Sequence, residues 1–117
     1  MYSKYRITIG DMGMIYTQDE LISAIIPILR HYPVNRVAIF GSYARNEQAP
    51  DSDVDLLLDL GVDAAHPSVD YIFDILSLIE DKICLKVDYL TTKGLLSNPS
   101  KRFREDIERD CRWFYEV

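Results

Sequence analysis

Asp53, Asp55 and Asp88 are the residues of this chain that packing explains least well. Asp53 and Asp55 stand two apart at the mouth of the apolar run VDLLLDL, residues 54–60. Neighbouring carboxylates repel each other and resist desolvation, so something positive is expected between them. Side chains two apart on a strand share a face, which groups Asp53, Asp55, Leu57 and Asp59 opposite Val54, Leu56, Leu58 and Leu60. The second set is wholly apolar and should carry the covering helices, whereas the first must meet water or a ligand. In LKVDYL, residues 85–90, the same alternation sets Lys86, Asp88 and Leu90 against Val87 and Tyr89. Asp88 is thereby expected on the carboxylate face of a neighbouring strand. Three converging aspartates remain ionised when divalent cations lie among them. Hard oxygen ligands with open positions suit Mg²⁺, which takes one or two carboxylates and completes its shell with substrate phosphates.

The segment ahead of these acids offers a place for phosphates. Gly41 follows an apolar run and permits a tight turn with close backbone approach. Ser42 then opens a helical turn whose free N–H groups suit an anion. Arg45, one turn further on, either adds a cation to phosphate oxygens or forms a surface ion pair with Glu47 or Asp51. Phosphate cradle, cation and metal-binding carboxylates together describe metal-assisted phosphoryl or nucleotidyl transfer. Asp51 and Asp59 read more simply, as a loop acid and a strand-end acid, and Tyr43 as packing beside the turn.

Elements to position these groups are legible around them. TQDE has capping-box form, with Thr17 as cap and Glu20 three residues later, and Leu21, Ile22, Ile25, Ile26 and Leu29 follow at helical spacing. Pro27 should kink that helix or end it early. VNRVAIF, residues 34–40, reads as a strand between Pro33 and Gly41, and a second strand runs from Val54 to Leu60. Residues 67–83 place Val69, Ile72, Phe73, Leu76, Ile79 and Ile83 on one helical stripe. Residues 85–90 form a third strand. Asn98 is expected to cap a final helix with Pro99 at its first position and Phe103, Ile107, Cys111 and Phe114 inward. Residues 1–16 are expected to form an N-terminal extension, a short strand or hairpin able to pair with a second chain at a sheet edge. Residues 17–117 form one domain of α+β (two-layer α/β) class, a small mixed sheet with helices on one face.

Composition narrows the function. The 117 residues suffice for one modest core, and 48% hydrophobic with 27% charged residues is ordinary for a globular protein. No apolar run approaches a membrane span and the polar start lacks a signal segment, so a cytoplasmic location without membrane association is expected. A net charge of −6 argues against direct nucleic-acid binding but not against a nucleotide held through metal ions. The basic residues of SKRFRED and ERDCRWF read as the solvated face of a helix. Cys84 and Cys111, with only His31 and His66 as histidines, fit neither a zinc site nor a catalytic triad.

Gly41 and Ser42, ten residues (43–52), then Asp53-Val54-Asp55 within FGSYARNEQAPDSDVDLLL resemble the signature of the polymerase β-type nucleotidyltransferase superfamily. VDYL, containing Asp88, is similar to that superfamily's third-aspartate strand. Ala44-Arg45 after the serine, Ser52 before the first aspartate and the short length look most like the minimal nucleotidyltransferases, or MNT proteins, from about residue 17 onward. Many of these are antitoxins that pair with a HEPN-domain ribonuclease toxin and add AMP to one of its tyrosines. The resemblance implies that Asp53 and Asp55 bind two Mg²⁺ ions, with ATP as substrate. It implies that Asp88 completes the second metal site and helps deprotonate the attacking hydroxyl. Gly41 and Ser42 match the triphosphate-binding turn, and Arg45 matches an arginine that aids it. Asn46 departs from the pattern by standing where a glycine usually follows, but asparagine tolerates the left-handed conformation such a position requires.

The implied function is transfer of AMP from ATP to a protein hydroxyl, a tyrosine of a HEPN toxin, by the antitoxin of a toxin–antitoxin pair. The chain carries a nucleotide platform without a second domain to close over a small molecule, which favours a protein acceptor. Two alternatives stand beside it. One is a small-molecule nucleotidyltransferase of the aminoglycoside-modifying kind, which resembles this platform with an added domain. The other is a binding-only antitoxin with a vestigial site, against which the intact aspartates speak.

Overall fold

A computed structural model describes residues 16–61 and 69–117. The extension expected over residues 1–16, with any pairing to a second copy through it, lies outside the described residues except for Tyr16. His66 and Pro67 lie outside them as well.

Helix α1, Gln18–Leu29, begins as expected: Thr17 Oγ1 accepts from Glu20 N at 3.1 Å, and Glu20 Oε1 accepts from Thr17 N at 2.9 Å. Pro27 sits on its exposed side, and the helix ends two residues later. Three strands follow in β1 (Arg36–Phe40), β2 (Val54–Asp59) and β3 (Val87–Thr91), with helix α2 (Val69–Ile83) crossing between β2 and β3. β1 and β2 are antiparallel, while β2 and β3 are parallel, as a helical crossover between them allows. Val54, Leu56 and Leu58 join Leu21, Ile25 and Leu29 of α1 and Ile75, Ile79 and Ile83 of α2 in the main core. The apolar side of β2 thus meets the long helices, as its alternation requires. Tyr16 donates from its hydroxyl to the Ile83 carbonyl at 3.0 Å, joining the start of α1 to the end of α2.

On α2, Phe73 is not on the buried stripe: it is 54% exposed, and Ile75 is fully buried instead. At about 100° per residue, Ile72, Leu76, Ile79 and Ile83 define a narrow stripe with Ile75 on one flank. Phe73 lies roughly a quarter-turn from the centre of that stripe, on its other side.

The C-terminal region differs most from expectation. A short helix α3, Thr92–Leu96, occupies the turn-rich segment after β3, capped by Thr91. Asn98 accepts from Ser100 N at 2.9 Å, so Ser100 rather than Asn98 caps α4, Lys101–Asp110. Ile107 is buried, but Phe103 is 38% exposed. The chain then turns extended at Cys111, and Arg112–Glu116 form β4, antiparallel to β1, so Phe114 belongs to a strand and not to the final helix. RWFYE is rich in strand-favouring aromatics, and the free edge of β1 offers it backbone partners. The sheet order is β3-β2-β1-β4. Ile107 and Leu95 pack with Ala38 and Leu57 as a second, smaller cluster on the other side of the sheet. α3 and α4 therefore cover part of the face that carries the carboxylates, and α1 and α2 the opposite one. Cys84 and Cys111 are free thiols, each half-buried. Among the described residues no helix is long and apolar enough to cross a membrane.

Candidate active site

The sheet register assembles the acids. Asp55 pairs with Asp88 across the parallel β2–β3 ladder and with Phe40 across the antiparallel β1–β2 ladder. Partners in adjacent strands lie about 5 Å apart with side chains on one face. Asp55 is half-buried, while Asp53, one residue before β2, and Asp88 are exposed. Burial first, then the charges of Asp88 and Asp53, push the Asp55 carboxyl up to about 6, and Arg45 partly offsets them. Asp53 and Asp88 thus both lie close enough to act on the charge of Asp55.

Gly41 leaves β1 at φ +75°, where a side chain is disfavoured. Its Cα also faces Asp55: a Cβ added there would collide with Asp55 Oδ2 and lie 3.2 Å from Cγ. The backbone at the start of the turn is therefore seated directly against the central carboxylate. Residues 41–47 coil back on themselves, with Arg45 N donating to Gly41 O at 3.2 Å and Glu47 N donating to Ser42 O at 2.9 Å. Buried Tyr43 anchors the turn in the main core, the packing role its sequence position suggests. Asn46 has φ +56°, the left-handed conformation anticipated where a glycine would be usual.

Arg45 is exposed, as is its partner: Nε donates to Glu47 Oε1 at 2.8 Å, and Nη1 lies 3.9 Å from Asp110 Oδ2 at the end of α4. Both alternatives for this arginine survive, because a surface pair is easily exchanged for a stronger anion. Its partners are Glu47 and Asp110 rather than Asp51. Asp59, away from the turn, is held below the usual carboxylate range although burial acts the other way. The Gly61 N–H, then the Arg36 and Asn35 side chains, supply the stabilising hydrogen bonds. That identifies it as a structural strand-end acid.

Two contributors carry no signal in the sequence. Asp110 reaches Arg45 only because α4 ends beside the turn. Gln18, the first residue of α1, places its amide on residues 43–46: Nε2 lies 2.7 Å from Tyr43 O, 3.1 Å from Ala44 O and 3.2 Å from Asn46 Oδ1.

The donor set fits a hard divalent cation. Among the described residues no three His, Cys, Asp or Glu side chains are gathered closely enough to hold a metal ion together. Clustered carboxylates with free coordination positions match an ion that takes one or two of them and completes its shell with phosphate oxygens. A cation would also relieve the repulsion that raises Asp55. The Gly41–Arg45 turn and the carboxylates of Asp53, Asp55 and Asp88 thus adjoin one another at one end of β2.

Because Glu47 occupies Arg45, its removal should free that guanidinium for another anion. Glu47→Ala is expected to lower the KM for ATP roughly two- to threefold while changing stability by less than about 0.5 kcal/mol. Steady-state kinetics in wild-type and Arg45→Ala backgrounds check this, since the gain must vanish when the arginine is absent.

The nucleotidyltransferase domain family matches residues 22–114. An inferred protein adenylyltransferase of Methanocaldococcus jannaschii is 40% identical over 100 residues, covering 75% of this chain and 96% of the relative. The solved structure of an inferred minimal nucleotidyltransferase superposes with a TM-score of 0.64 at 24% identity, covering 86% of this chain and 98% of that one. An MNT antitoxin in complex with the tri-AMPylated HEPN toxin of Shewanella oneidensis superposes at 0.58 with 16% identity, over 86% and 74%. At these identities the two structures establish a shared fold, the polymerase β-type arrangement of a small mixed sheet with helices. With the sequence match running across most of its length, this chain belongs to the nucleotidyltransferase domain family.

Proposed function

We propose that this chain transfers AMP from Mg²⁺·ATP to a protein hydroxyl, a tyrosine of a HEPN-domain toxin, and thereby serves as the antitoxin of that pair. The observation that carries the reading is the register of Asp55 against Asp88 with the Gly41 turn seated on Asp55. A phosphate turn and a carboxylate cluster meet at one point, as nucleotidyl transfer needs. The adenylyltransferase relative and the fold shared with the antitoxin of an AMPylated toxin support a protein acceptor.

In this mechanism Asp53, Asp55 and Asp88 would hold the divalent cations, which when bound would neutralise charge at the α-phosphate and make the acceptor hydroxyl easier to deprotonate. The Gly41–Ser42 backbone and Arg45, exchanged from Glu47, bind the β- and γ-phosphates. Asp88, the outermost of the three on β3, takes the proton from the acceptor hydroxyl. A bond forms from that oxygen to the α-phosphorus, and the opposite bond to pyrophosphate breaks in line. The acceptor approaches over the same sheet face. There a recess of about 350 Å³ lies between Leu57 and Leu95 on its floor and Leu96 and Trp113 at its rim.

Incubating the chain with a HEPN-domain toxin, ATP and Mg²⁺ tests the proposal by intact-protein mass. A gain of one or more AMP units on the HEPN protein, mapped to a tyrosine, is the expected result. A tight complex with unchanged mass would instead establish neutralisation by contact alone.

A further inference from the structure

The Gln18 side chain joins three parts of the chain that are distant in sequence. Its Nε2 donates toward Tyr43 O, Ala44 O and Asn46 Oδ1, and its Oε1 accepts from Arg112 Nη1 of β4 at 2.6 Å. α1 does not need this side chain for its own start, because the Thr17–Glu20 capping box already satisfies the helix end. The turn has only short-range bonds of its own, from Ala44 N and Arg45 N to Gly41 O and from Asn46 N to Tyr43 O. These close the coil and buried Tyr43 seats it on the core, while the Tyr43 and Ala44 carbonyls are held from outside by Gln18. Asn46 also occupies the left-handed region, which a short turn holds only with support from its surroundings.

We propose that Gln18 is a positioning residue for nucleotide binding: its amide group holds Tyr43, Ala44 and Asn46 so that the Ser42 backbone and Arg45 face the phosphates. Arg112 fixes the orientation of that amide. A guanidinium can only donate, so the oxygen of Gln18 must face Arg112 and the NH₂ must face the turn. The same guanidinium reaches Asp19 Oδ1 at 3.3 Å, which secures it beside α1. Gln18 touches neither phosphate nor acceptor in this arrangement. It acts through the turn, and the inference therefore rests on residues 41–46 being the phosphate-binding segment.

Two substitutions separate positioning from general stability. Gln18→Glu keeps an acceptor for Arg112 and adds an ion pair, but it cannot donate to the Tyr43 and Ala44 carbonyls. Gln18→Met removes the donors without adding charge. Both variants are expected to bind Mg·ATP about tenfold more weakly by calorimetry. The Glu variant should retain the wild-type Tm, and kcat at saturating ATP should change far less than KM. Wild-type affinity in the Glu variant would overturn the proposal. So would loss of ATP binding only in proportion to lost Tm across the two variants. An amide-resolved NMR titration of the wild-type chain with Mg·ATP tests the underlying reading separately. Shifts at Gly41–Asn46 support it, and shifts confined to other segments would overturn both the turn's role and that of Gln18.

Discussion

Asp55→Asn is expected to reduce AMP transfer by at least about 10³-fold, a loss of roughly 4 kcal/mol of transition-state stabilisation. Asp55 is the central acid, placed between Asp53 on its own chain segment and Asp88 on β3, and among the described residues β1 on its other side pairs Phe40 with it. An amide of the same shape leaves packing intact but removes the charge that binds a cation. The double variant Asp53→Asn/Asp55→Asn should abolish transfer while still binding its partner, as checked by radiolabelled ATP and by co-purification. Full transfer in the double variant would sink the assignment. Stability should move the other way. A carboxyl whose folded pKa is raised to about 6 costs folding free energy when ionised, so metal-free Asp55→Asn should melt no lower than wild type at neutral pH. Any advantage must shrink as the pH falls through 6 toward the unfolded carboxylate range, where both forms are neutral.

Gly41→Ala should be nearly as damaging to activity and should also weaken the fold. Two costs coincide at this position. The backbone conformation at φ +75° disfavours an L side chain by about 1–2 kcal/mol, and the new methyl has no room beside the Asp55 carboxylate. Asp55 is half-buried at the sheet face and cannot simply swing into solvent. The expected result is a destabilisation of about 2–4 kcal/mol in denaturant unfolding and an ATP affinity lowered more than about tenfold. Gly61→Ala is the internal control. Its φ is +82°, yet the nearest heavy atom to an added Cβ is Asn35 Cβ at 3.8 Å. Gly61→Ala should therefore show the backbone cost alone, about 1 kcal/mol, and retain activity. Equal effects of the two substitutions would mean that the contact with Asp55 is unimportant.

Most of the site was legible because its parts are local or periodic. The Gly41-Ser42 turn, the Asp53–Asp55 pair and the left-handed Asn46 depend on short-range sterics, which a stretch of a dozen residues encodes. The period-two alternation of β2 sets Asp55, Leu57 and Asp59 opposite Val54, Leu56 and Leu58 without reference to anything else in the chain. The placement of Asp88 was within reach for the same reason, given a parallel neighbour. Helical spacing was a poorer guide at the edges of stripes. Phe73 and Ile75 differ by only two positions, and small rotations of α2 decide which one meets the core. At the C-terminus, Ile107, Cys111 and Phe114 satisfy a helical repeat, yet the chain leaves the helix at Asp110.

By itself the sequence marked the candidate chemistry: the residues proposed to bind phosphate, those proposed to bind a cation, and which face of β2 carries the carboxylates. Only the tertiary structure decided what holds that chemistry in place. The conversion of residues 112–116 into β4 depends on the open edge of β1, a partner more than seventy residues away in sequence. β4 then brings Arg112 to Gln18, and α4 brings Asp110 to Arg45. These contacts come from side chains with no periodicity or spacing to mark them. They arise because the folded sheet and its helices bring remote polar groups within hydrogen-bonding reach.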